Sequence, residues 1–132
     1  MSPTELLERA FAAYDARDLS AYLACWHDDA VYVVNSQEPI KGREAIAAQT
    51  QAEWTGSPDM RVNRMHFVAQ GDWAAWRWHM RGTHDGDYGP LKATHRAVSV
   101  PGACHARIVN GRVAEVLMLS DRATMFAQLG LT

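Results

Sequence analysis

Residues 109–130 of this chain read VNGRVAEVLMLSDRATMFAQLG and contain a turn, a strand and a helix in succession. Asn110-Gly111 is a dipeptide typical of tight β-hairpin turns, because both residues tolerate a positive φ. The dense apolar content of residues 112–120 predicts a strand. From Asp121 the apolar residues recur at helical spacing until Gly130, a residue typical of helix ends. Asp121 is therefore predicted to lie where a strand passes into a helix.

Asp121 has two interpretations at such a junction. As a helix N-cap, its carboxylate accepts hydrogen bonds from free N–H groups and suits the helix dipole. As a catalytic group, it would lie among apolar walls that raise its pKa, so that it could exchange a proton near neutral pH. Residues 109–130 by themselves favour the cap.

The rest of the chain predicts helices first and strands afterwards. Helices are predicted over residues 3–16, 19–26 and 42–54, and the first begins with a capping box at Ser2-Pro3-Thr4-Glu5. A strand is predicted at 30–35, followed by longer strands at 60–70, 73–84, 94–109 and 112–120. This order predicts an α+β fold in which three N-terminal helices cover a curved, mostly antiparallel sheet and a short C-terminal helix follows.

Length and composition limit the possible function classes. The 132 residues form one predicted domain, and the formal charge of −2 without a basic run argues against nucleic acid or an acidic membrane surface as partner. Cys25 and Cys104 lie far apart in sequence and are expected to be free thiols. The start of the chain shows no signal peptide and no segment reaches transmembrane length, so we expect a cytoplasmic location and no membrane partner.

The hairpin at 60–84 is predicted to supply the wall of an apolar pocket. If Gly71-Asp72 is a two-residue turn, one face of this hairpin carries the large apolar residues and ends at His84; its members are Met65, Phe67, Trp76, Trp78 and Met80. The opposite face would carry His66, Arg77, His79 and Arg81. We assign the apolar face to the helices and the polar face to solvent or a partner subunit.

Several motifs together resemble one family. They are Tyr14, DDAV at 28–31, GREAI at 42–46, GTHDG at 82–86, NGRVAE at 110–115, and Asp121 followed by QLG at 128–130. With the predicted layout they resemble the SnoaL-like proteins of the nuclear transport factor 2-like superfamily, which have cone-shaped α+β folds. The resemblance covers nearly the whole chain, and GTHDG and the closing aspartate with QLG are its most specific parts.

The resemblance implies a reaction and gives Asp121 a role in it. Characterised SnoaL-like cyclases close polyketide rings by a cofactor-free intramolecular aldol step, with a pocket aspartate as general acid or base. Asp121 matches the family aspartate that follows the last strand, so the resemblance favours the catalytic interpretation of this residue. An enol or enolate oxygen needs a proton donor, and a half-buried carboxyl with a raised pKa is one.

Further site residues follow from the resemblance, each with a structural alternative. His84 matches the histidine of the GTHxG motif and would assist the aspartate, or it is a hydrogen-bonded turn residue. Tyr14 would line the pocket, or it is a core tyrosine with a satisfied hydroxyl. Asn35 and Leu119 complete the predicted pocket lining.

The placement of His105 and Arg107 depends on the turn at Asn110-Gly111. A two-residue turn pairs these residues with Val116 and Ala114, away from Asp121. A three-residue turn with Gly111 in the left-handed region pairs His105 with Glu115 and gathers the polar residues on one face. We prefer the second register, which makes His105 catalytic and Arg107 substrate-binding; the alternative is an outward salt-bridged pair.

Other chemistry lacks a motif. The base aspartate of ketosteroid isomerases would fall at Val33-Val34-Asn35, and the second carboxylate of the related epoxide hydrolases is missing near Arg77-Trp78-His79. No phosphate-binding glycine loop, CxxC or HExxH occurs, so neither a metal nor a cofactor is predicted.

Two hypotheses follow from the sequence. The first is an enzyme, a cofactor-independent cyclase, isomerase or lyase for an apolar, oxygenated small molecule. The second is a non-catalytic ligand-binding or dimerisation domain of the same fold, with Asp121 as a helix cap. In either case we expect a homodimer formed through the outer face of the sheet.

Overall fold

The computed structural model describes residues 1–131, and its elements follow the predicted order. The helices are α1 (Pro3–Asp15), α2 (Leu19–Ala24), α3 (Arg43–Gly56) and α4 (Arg122–Leu129). The strands are β1 (Trp26–Val34), β2 (Ile40–Lys41), β3 (Arg61–Gln70), β4 (Trp73–Thr83), β5 (Ala97–Val109) and β6 (Arg112–Ser120). The predicted α+β class is confirmed, and the two-residue β2 is an addition that propensity did not indicate.

Local sequence signals set the ends of the helices. The Ser2 side chain accepts the backbone N–H of Glu5 while the Glu5 side chain accepts that of Ser2, which is the predicted capping box. At the other end of the chain, Gly130 adopts the left-handed conformation with φ of 76° and stops α4. Each signal acts within about one helical turn, and so both could be read from the sequence.

The sheet has the strand order β2-β1-β6-β5-β4-β3. Every neighbouring pair is antiparallel except β1 and β6, which run parallel. The predicted mostly antiparallel sheet is therefore confirmed, and the parallel pair brings the beginning of the sheet beside its end. This pairing places the last strand, β6, between β1 and β5.

The boundary between α2 and β1 differs from the prediction. Helical spacing predicts a helix up to residue 26, but α2 ends at Ala24 and Trp26 already pairs with Val113 of β6. The Trp26 indole is only 3% exposed and stacks on Tyr32 with ring centroids 5.7 Å apart. Burial of this indole between helices and sheet takes precedence over the local helical pattern.

A bulge in β3 changes which residues face the helices. The two-residue turn at Gly71-Asp72 is present, because Gln70 pairs with Trp73. Further along, the register shifts between Met65 and Val68, where His66 adopts a φ of 54°. Met65 consequently pairs with Arg77 on the outer face, and the prediction that it faces Trp78 is wrong. One extra residue in a strand sends the following side chains to the opposite face.

A second bulge decides the register of β5 and β6. Val109 pairs with Arg112, so the turn at Asn110-Gly111 has two residues, with φ of 50° and 74°. The register then shifts, and His105 pairs with Leu117 while Arg107 pairs with Glu115. The preferred three-residue turn is therefore wrong. The pairing expected from a two-residue turn, His105 with Val116, is also not observed, because the bulge shifts it by one residue.

The core lies between the helices and the inner face of the sheet. Its members include Leu6, Leu7 and Ala10 of α1, Ile46 of α3, and inner-face residues of four strands: Trp26, Ala30, Ala74, Trp76, Ala106, Ile108, Val113 and Val116. A smaller cluster of Val98, Val100 and Leu129 joins β5 to α4. Among residues 1–131 no helix is long and apolar enough to cross a membrane.

Gly102→Ala is expected to destabilise the chain by about 1–3 kcal/mol, the usual cost of overpacking. Gly102 pairs with Trp78, and a Cβ at this position would overlap the Trp78 indole and approach the Leu119 carbonyl oxygen. Urea unfolding measures the change. Ala103→Val adds two methyl groups on the outer face of the same strand and is the control; equal effects of both substitutions would contradict the contact.

Candidate functional site

An open cavity of about 280 Å³ lies between the helices and the inner face of the sheet. Its wall is mostly apolar and aromatic, and includes Leu7 and Phe11 of α1, Val62 of β3, Trp76, Trp78 and Met80 of β4, Val100 of β5, Val116 and Met118 of β6, and Phe126 of α4. Predominantly apolar walls with a few placed polar groups are typical of small-molecule sites.

One carboxyl group projects into this cavity, from Glu53 of α3. Its Oε1 accepts a hydrogen bond from the Tyr14 hydroxyl at 2.7 Å, and its Oε2 accepts one from the Gln49 side-chain amide at 2.9 Å. The same Gln49 nitrogen also donates to the Tyr88 hydroxyl at 2.8 Å. The carboxyl is thereby connected to α1 on one side and to the loop between β4 and β5 on the other.

Burial raises the pKa of Glu53 above its ordinary value, while the hydrogen bonds from Gln49 and Tyr14 oppose the rise. The apolar wall disfavours the ionised form, and the two donors partly restore it. Burial also raises the pKa of Tyr14, and the neighbouring Glu53 carboxylate raises it further. At neutral pH Tyr14 is therefore a proton donor in the hydrogen bond to Glu53.

All four tyrosines of the chain gather around Glu53. Tyr22 of α2, Tyr32 of β1 and Tyr88 of the β4–β5 loop line the cavity with Tyr14. Burial raises the pKa of each, and the Glu53 carboxylate raises it further. Four protonated phenols thus line the same space. Tyr14 already donates its proton to Glu53, and the other three hydroxyls can donate to an oxygen of a bound molecule.

His84 lies in the cavity wall and is only 5% exposed. The backbone N–H of Thr94 donates to its Nδ1 at 3.3 Å, so this nitrogen is an acceptor and the ring proton of the neutral form belongs on Nε2. Nε2 has no hydrogen-bond partner within residues 1–131. The turn holds the ring, as the structural alternative requires, and leaves one buried N–H donor unused.

Asn35 and Ser120 form a second polar group in the cavity wall. Asn35 directly follows β1 and has a φ of 52°, a conformation that asparagine tolerates. Its Oδ1 accepts the Ser120 backbone N–H at 2.9 Å, and its Nδ2 donates to the Ser120 hydroxyl oxygen at 3.3 Å. Since that oxygen acts as acceptor, the hydroxyl proton of Ser120 remains available to a ligand.

Asp121 lies outside the cavity, and the prediction that apolar walls raise its pKa is wrong. The side chain is exposed and caps α4, with Oδ1 accepting the Thr124 backbone N–H at 3.0 Å and Oδ2 accepting the Thr124 hydroxyl at 2.7 Å. These bonds stabilise the carboxylate and lower its pKa. Asp121 is therefore the N-cap of α4, which is the interpretation that residues 109–130 by themselves favour.

The other predicted site residues divide between the two faces of the sheet. Tyr14, Asn35, Trp76, Trp78, Met80 and His84 line the cavity. His105 and Arg107 lie on the outer face, where the His105 ring stacks on Trp73 at 4.4 Å and Arg107 pairs with Glu115 at 3.3 Å.

Three predicted lining residues lie elsewhere as well. Leu119 is 51% exposed on the outer face, and Met65 shares that face because of the β3 bulge. Phe67 does not line the cavity, and its ring stacks on that of Trp76 with centroids 5.9 Å apart. The register shifts are the physical reason for the outward turn of Met65.

Glu53 and Gln49 escaped the sequence interpretation, although a signal was present. Ile46 and Thr50 are buried on α3, and Gln49 and Glu53 lie three residues after each of them, on the same side of the helix. Polar residues on the core-facing side of a helix are candidates for a site, because burial of such groups requires partners.

The two cysteines are free, as expected. Cys104 lines the cavity, and burial raises the pKa of its thiol to about 12, so the sulfur is not a thiolate at neutral pH. Within the described part of the chain, no three His, Cys, Asp or Glu side chains come close enough to hold a metal ion.

The family model of SnoaL-like polyketide cyclases matches residues 4–129. Among solved structures, a SnoaL-like candidate polyketide cyclase of Jannaschia sp. CCS1 has a TM-score of 0.87 at 17% identity, covering 100% of this chain and 97% of that one. IdmH of Streptomyces antibioticus, a candidate polyketide cyclase, has a TM-score of 0.82 at 27% identity, covering 98% and 99%. A candidate polyketide cyclase of Pseudomonas putida KT2440 has a TM-score of 0.81 at 25% identity, covering 97% and 98%. No curated protein matches this chain.

Glu53→Gln is expected to weaken the pH dependence of stability. Because burial raises the pKa of Glu53 in the folded chain, this group stabilises the fold fully at low pH, and the contribution is lost as the pH rises through the folded-state pKa. Glutamine does not ionise and so makes no such contribution. The Tm at about pH 4 minus the Tm at about pH 8 should therefore be smaller in the variant than in the wild type, by a few degrees.

The Tm of each protein is measured by calorimetry at both pH values. The difference between the two values is compared among the proteins, because a change in hydrogen bonding that does not depend on pH cancels in that difference. Glu44→Gln, exposed on the same helix, serves as the control and should follow the wild type. The same pH dependence in all three proteins would contradict the buried placement of Glu53.

Proposed function

This chain belongs to the SnoaL-like polyketide cyclase family, and from that premise we propose that it is a cofactor-independent cyclase, isomerase or lyase. Its substrate in this proposal is an apolar, oxygenated small molecule bound between the helices and the sheet. The observation that supports the proposal most is an open apolar cavity with one carboxyl of raised pKa and several hydrogen-bond donors in its wall.

The apolar wall supports binding of a largely apolar molecule. Aromatic rings from α1, β1 and β4 surround the space, and transfer of apolar surface out of water contributes roughly 25 cal/mol per Å². Exclusion of water also strengthens the hydrogen bonds and charge interactions that the wall makes with the bound molecule.

The donors in the wall support a substrate with carbonyl or hydroxyl oxygens. The Nε2–H of His84 has no protein partner within the described residues, and the phenolic hydroxyls of Tyr22 and Tyr32 belong to residues that line the same cavity. Such donors stabilise negative charge that develops on an oxygen as an enolate forms. The polarising role predicted for His84 is kept in the proposal, whereas His105 lies on the outer face and is left out.

A non-catalytic ligand-binding domain is the second candidate function. The observation in its favour is Asp121, which caps α4 instead of entering the cavity. The same cavity would then hold a ligand without reaction, and the two candidates differ in whether a proton-transfer group reaches that ligand.

We also propose that the chain forms a homodimer through the outer face of the sheet. Leu117, His105, Ala75 and Val68 are successive partners across β6, β5, β4 and β3, and form a row on this face. Leu117 is 39% exposed and Val68 64% exposed. A second copy related by a twofold axis would cover this row on both chains at once.

Met118→Trp is expected to block ligand binding by filling the cavity. Met118 lines the cavity, whereas Leu117 beside it points to the outer face, so Leu117→Trp is the matched control. Binding of 2-naphthol, an apolar aromatic alcohol, is measured by quenching of the tryptophan fluorescence and by calorimetry. Wild type and the control should bind, and Met118→Trp should weaken binding about tenfold or more. Equal binding by both variants would contradict a ligand site in the cavity.

Leu119→Lys is expected to dissociate the homodimer, because it places a charge on the outer face two residues along β6 from Leu117 of the proposed contact row. Leu119 is 51% exposed and pairs with Ala103 of β5. Light scattering over a concentration series should give twice the mass of one chain for the wild type and the mass of one chain for the variant. Leu131→Lys, an exposed apolar residue outside the sheet, is the control. A monomeric wild type at high concentration would refute the dimer.

A further inference from the structure

We propose that Glu53, held by Tyr14 and Gln49, is the general acid and base of this cavity, in place of Asp121. The inference rests on the proposed function, since it names the group that would carry out its proton transfer. Of the carboxyl groups within residues 1–131, only that of Glu53 lines the cavity.

The hydrogen bonds of Glu53 fix its position and leave it able to react. Each carboxylate oxygen accepts one bond, Oε1 from Tyr14 and Oε2 from Gln49, and each retains a lone pair for a proton of the ligand. Both donors come from side chains that are themselves held: Tyr14 packs on Tyr22 and Trp54, and Gln49 bonds to Tyr88. This arrangement meets the geometric requirement for a preorganised catalytic group.

A purely structural role would not require an ionisable group at this position. A neutral amide could accept the bond from Tyr14 without the unfavourable transfer of a carboxylate to an apolar wall. Burial raises the pKa of Glu53, which brings it nearer to the range where one group can both take and return a proton. Asp121, with its lowered pKa and two bonds to Thr124, has the opposite properties.

No cation within residues 1–131 neutralises the Glu53 carboxylate. Arg64 lines the cavity, but its guanidinium binds Asp15 through two bonds of 3.0 and 3.1 Å. Arg122 of α4 lies over the Phe126 ring at 4.9 Å. The remaining titratable groups of the cavity wall are neutral phenols, a thiol and an imidazole: Tyr14, Tyr22, Tyr32, Tyr88, Cys104 and His84.

The reaction step balances within the protein and its substrate. A Glu53 oxygen takes a proton from the carbon next to a carbonyl group, the C–H bond breaks, and its electron pair moves to the carbonyl oxygen as an enolate. In a ring closure the enolate carbon then bonds to a second carbonyl carbon, whose π electrons move to its oxygen. That oxygen takes the proton back from Glu53, so no oxidant, reductant or cofactor is consumed.

The test uses 5-nitrobenzisoxazole, an apolar bicyclic probe that reports a base inside a cavity. Loss of its ring C–H proton to the base breaks the N–O bond and releases a coloured cyanophenolate. Glu53→Gln should reduce the rate above buffer by a factor of about 100 or more, a typical contribution of a general base. Glu44→Gln on the same helix and Asp121→Asn at the cap should keep the wild-type rate.

The pH profile separates a catalytic role from a structural one. The wild-type rate should rise with pH as Glu53 loses its proton, at a pKa above the ordinary glutamate value. Tyr14→Phe removes a donor that favours the ionised form, and should move this pKa further upward without abolishing the reaction. This second variant keeps the proposal testable if Glu53→Gln does not fold.

The outcomes distinguish the inference from the proposed function. Glu53 is not the base if 2-naphthol binds and Glu53→Gln retains the wild-type elimination rate. The same conclusion follows if 2-naphthol binds and the elimination rate of the wild type does not exceed that in buffer. In both cases the ligand site stands. A rate lost in Asp121→Asn and kept in Glu53→Gln would also overturn the inference. Failure of 2-naphthol to bind the wild type would overturn the proposed function itself.

Discussion

Alternation of side chains along each strand is the constraint on which this structure depends. Successive residues point to opposite faces, so each strand of the sheet supplies one set of side chains to the cavity and another to the outer face. Two bulges, one at His66 in β3 and one opposite Arg107 in β6, reset this alternation partway along the strands. They bring Arg64 and Met118 to the cavity wall and turn Met65 and Leu119 outward.

The cavity exists because the helices meet an inner face of mixed side-chain size. Gly102 leaves room for the Trp78 indole, while large rings from α1 and β1 surround a space that no side chain fills. Placement of a carboxyl in that space reduces stability, because water no longer solvates its charge. The bonds from Tyr14 and Gln49 offset part of this loss and connect α1, α3 and the β4–β5 loop through one group.

Resemblance and geometry assign different roles to Asp121, for a physical reason. A sequence motif places an aspartate after the last strand but does not state where its side chain points. In the folded chain the free N–H groups at the start of α4 bind the carboxylate, and this local interaction keeps it in solvent. Glu53 belongs to none of the motifs that carry the resemblance. Its burial results from the packing of α3 against α1 and the β4–β5 loop, which the sequence does not show directly.

The sequence by itself determined the element order, the capping box, the stop at Gly130, the tight turns and the α+β class, because these depend on interactions within a few residues. It also placed Trp76, Trp78 and Met80 together, since alternation in β4 is uninterrupted. Tertiary structure alone decided the registers past the bulges, the end of α2 and the tyrosine cluster around Glu53. These features depend on which distant side chains share buried space, and no local periodicity encodes that choice.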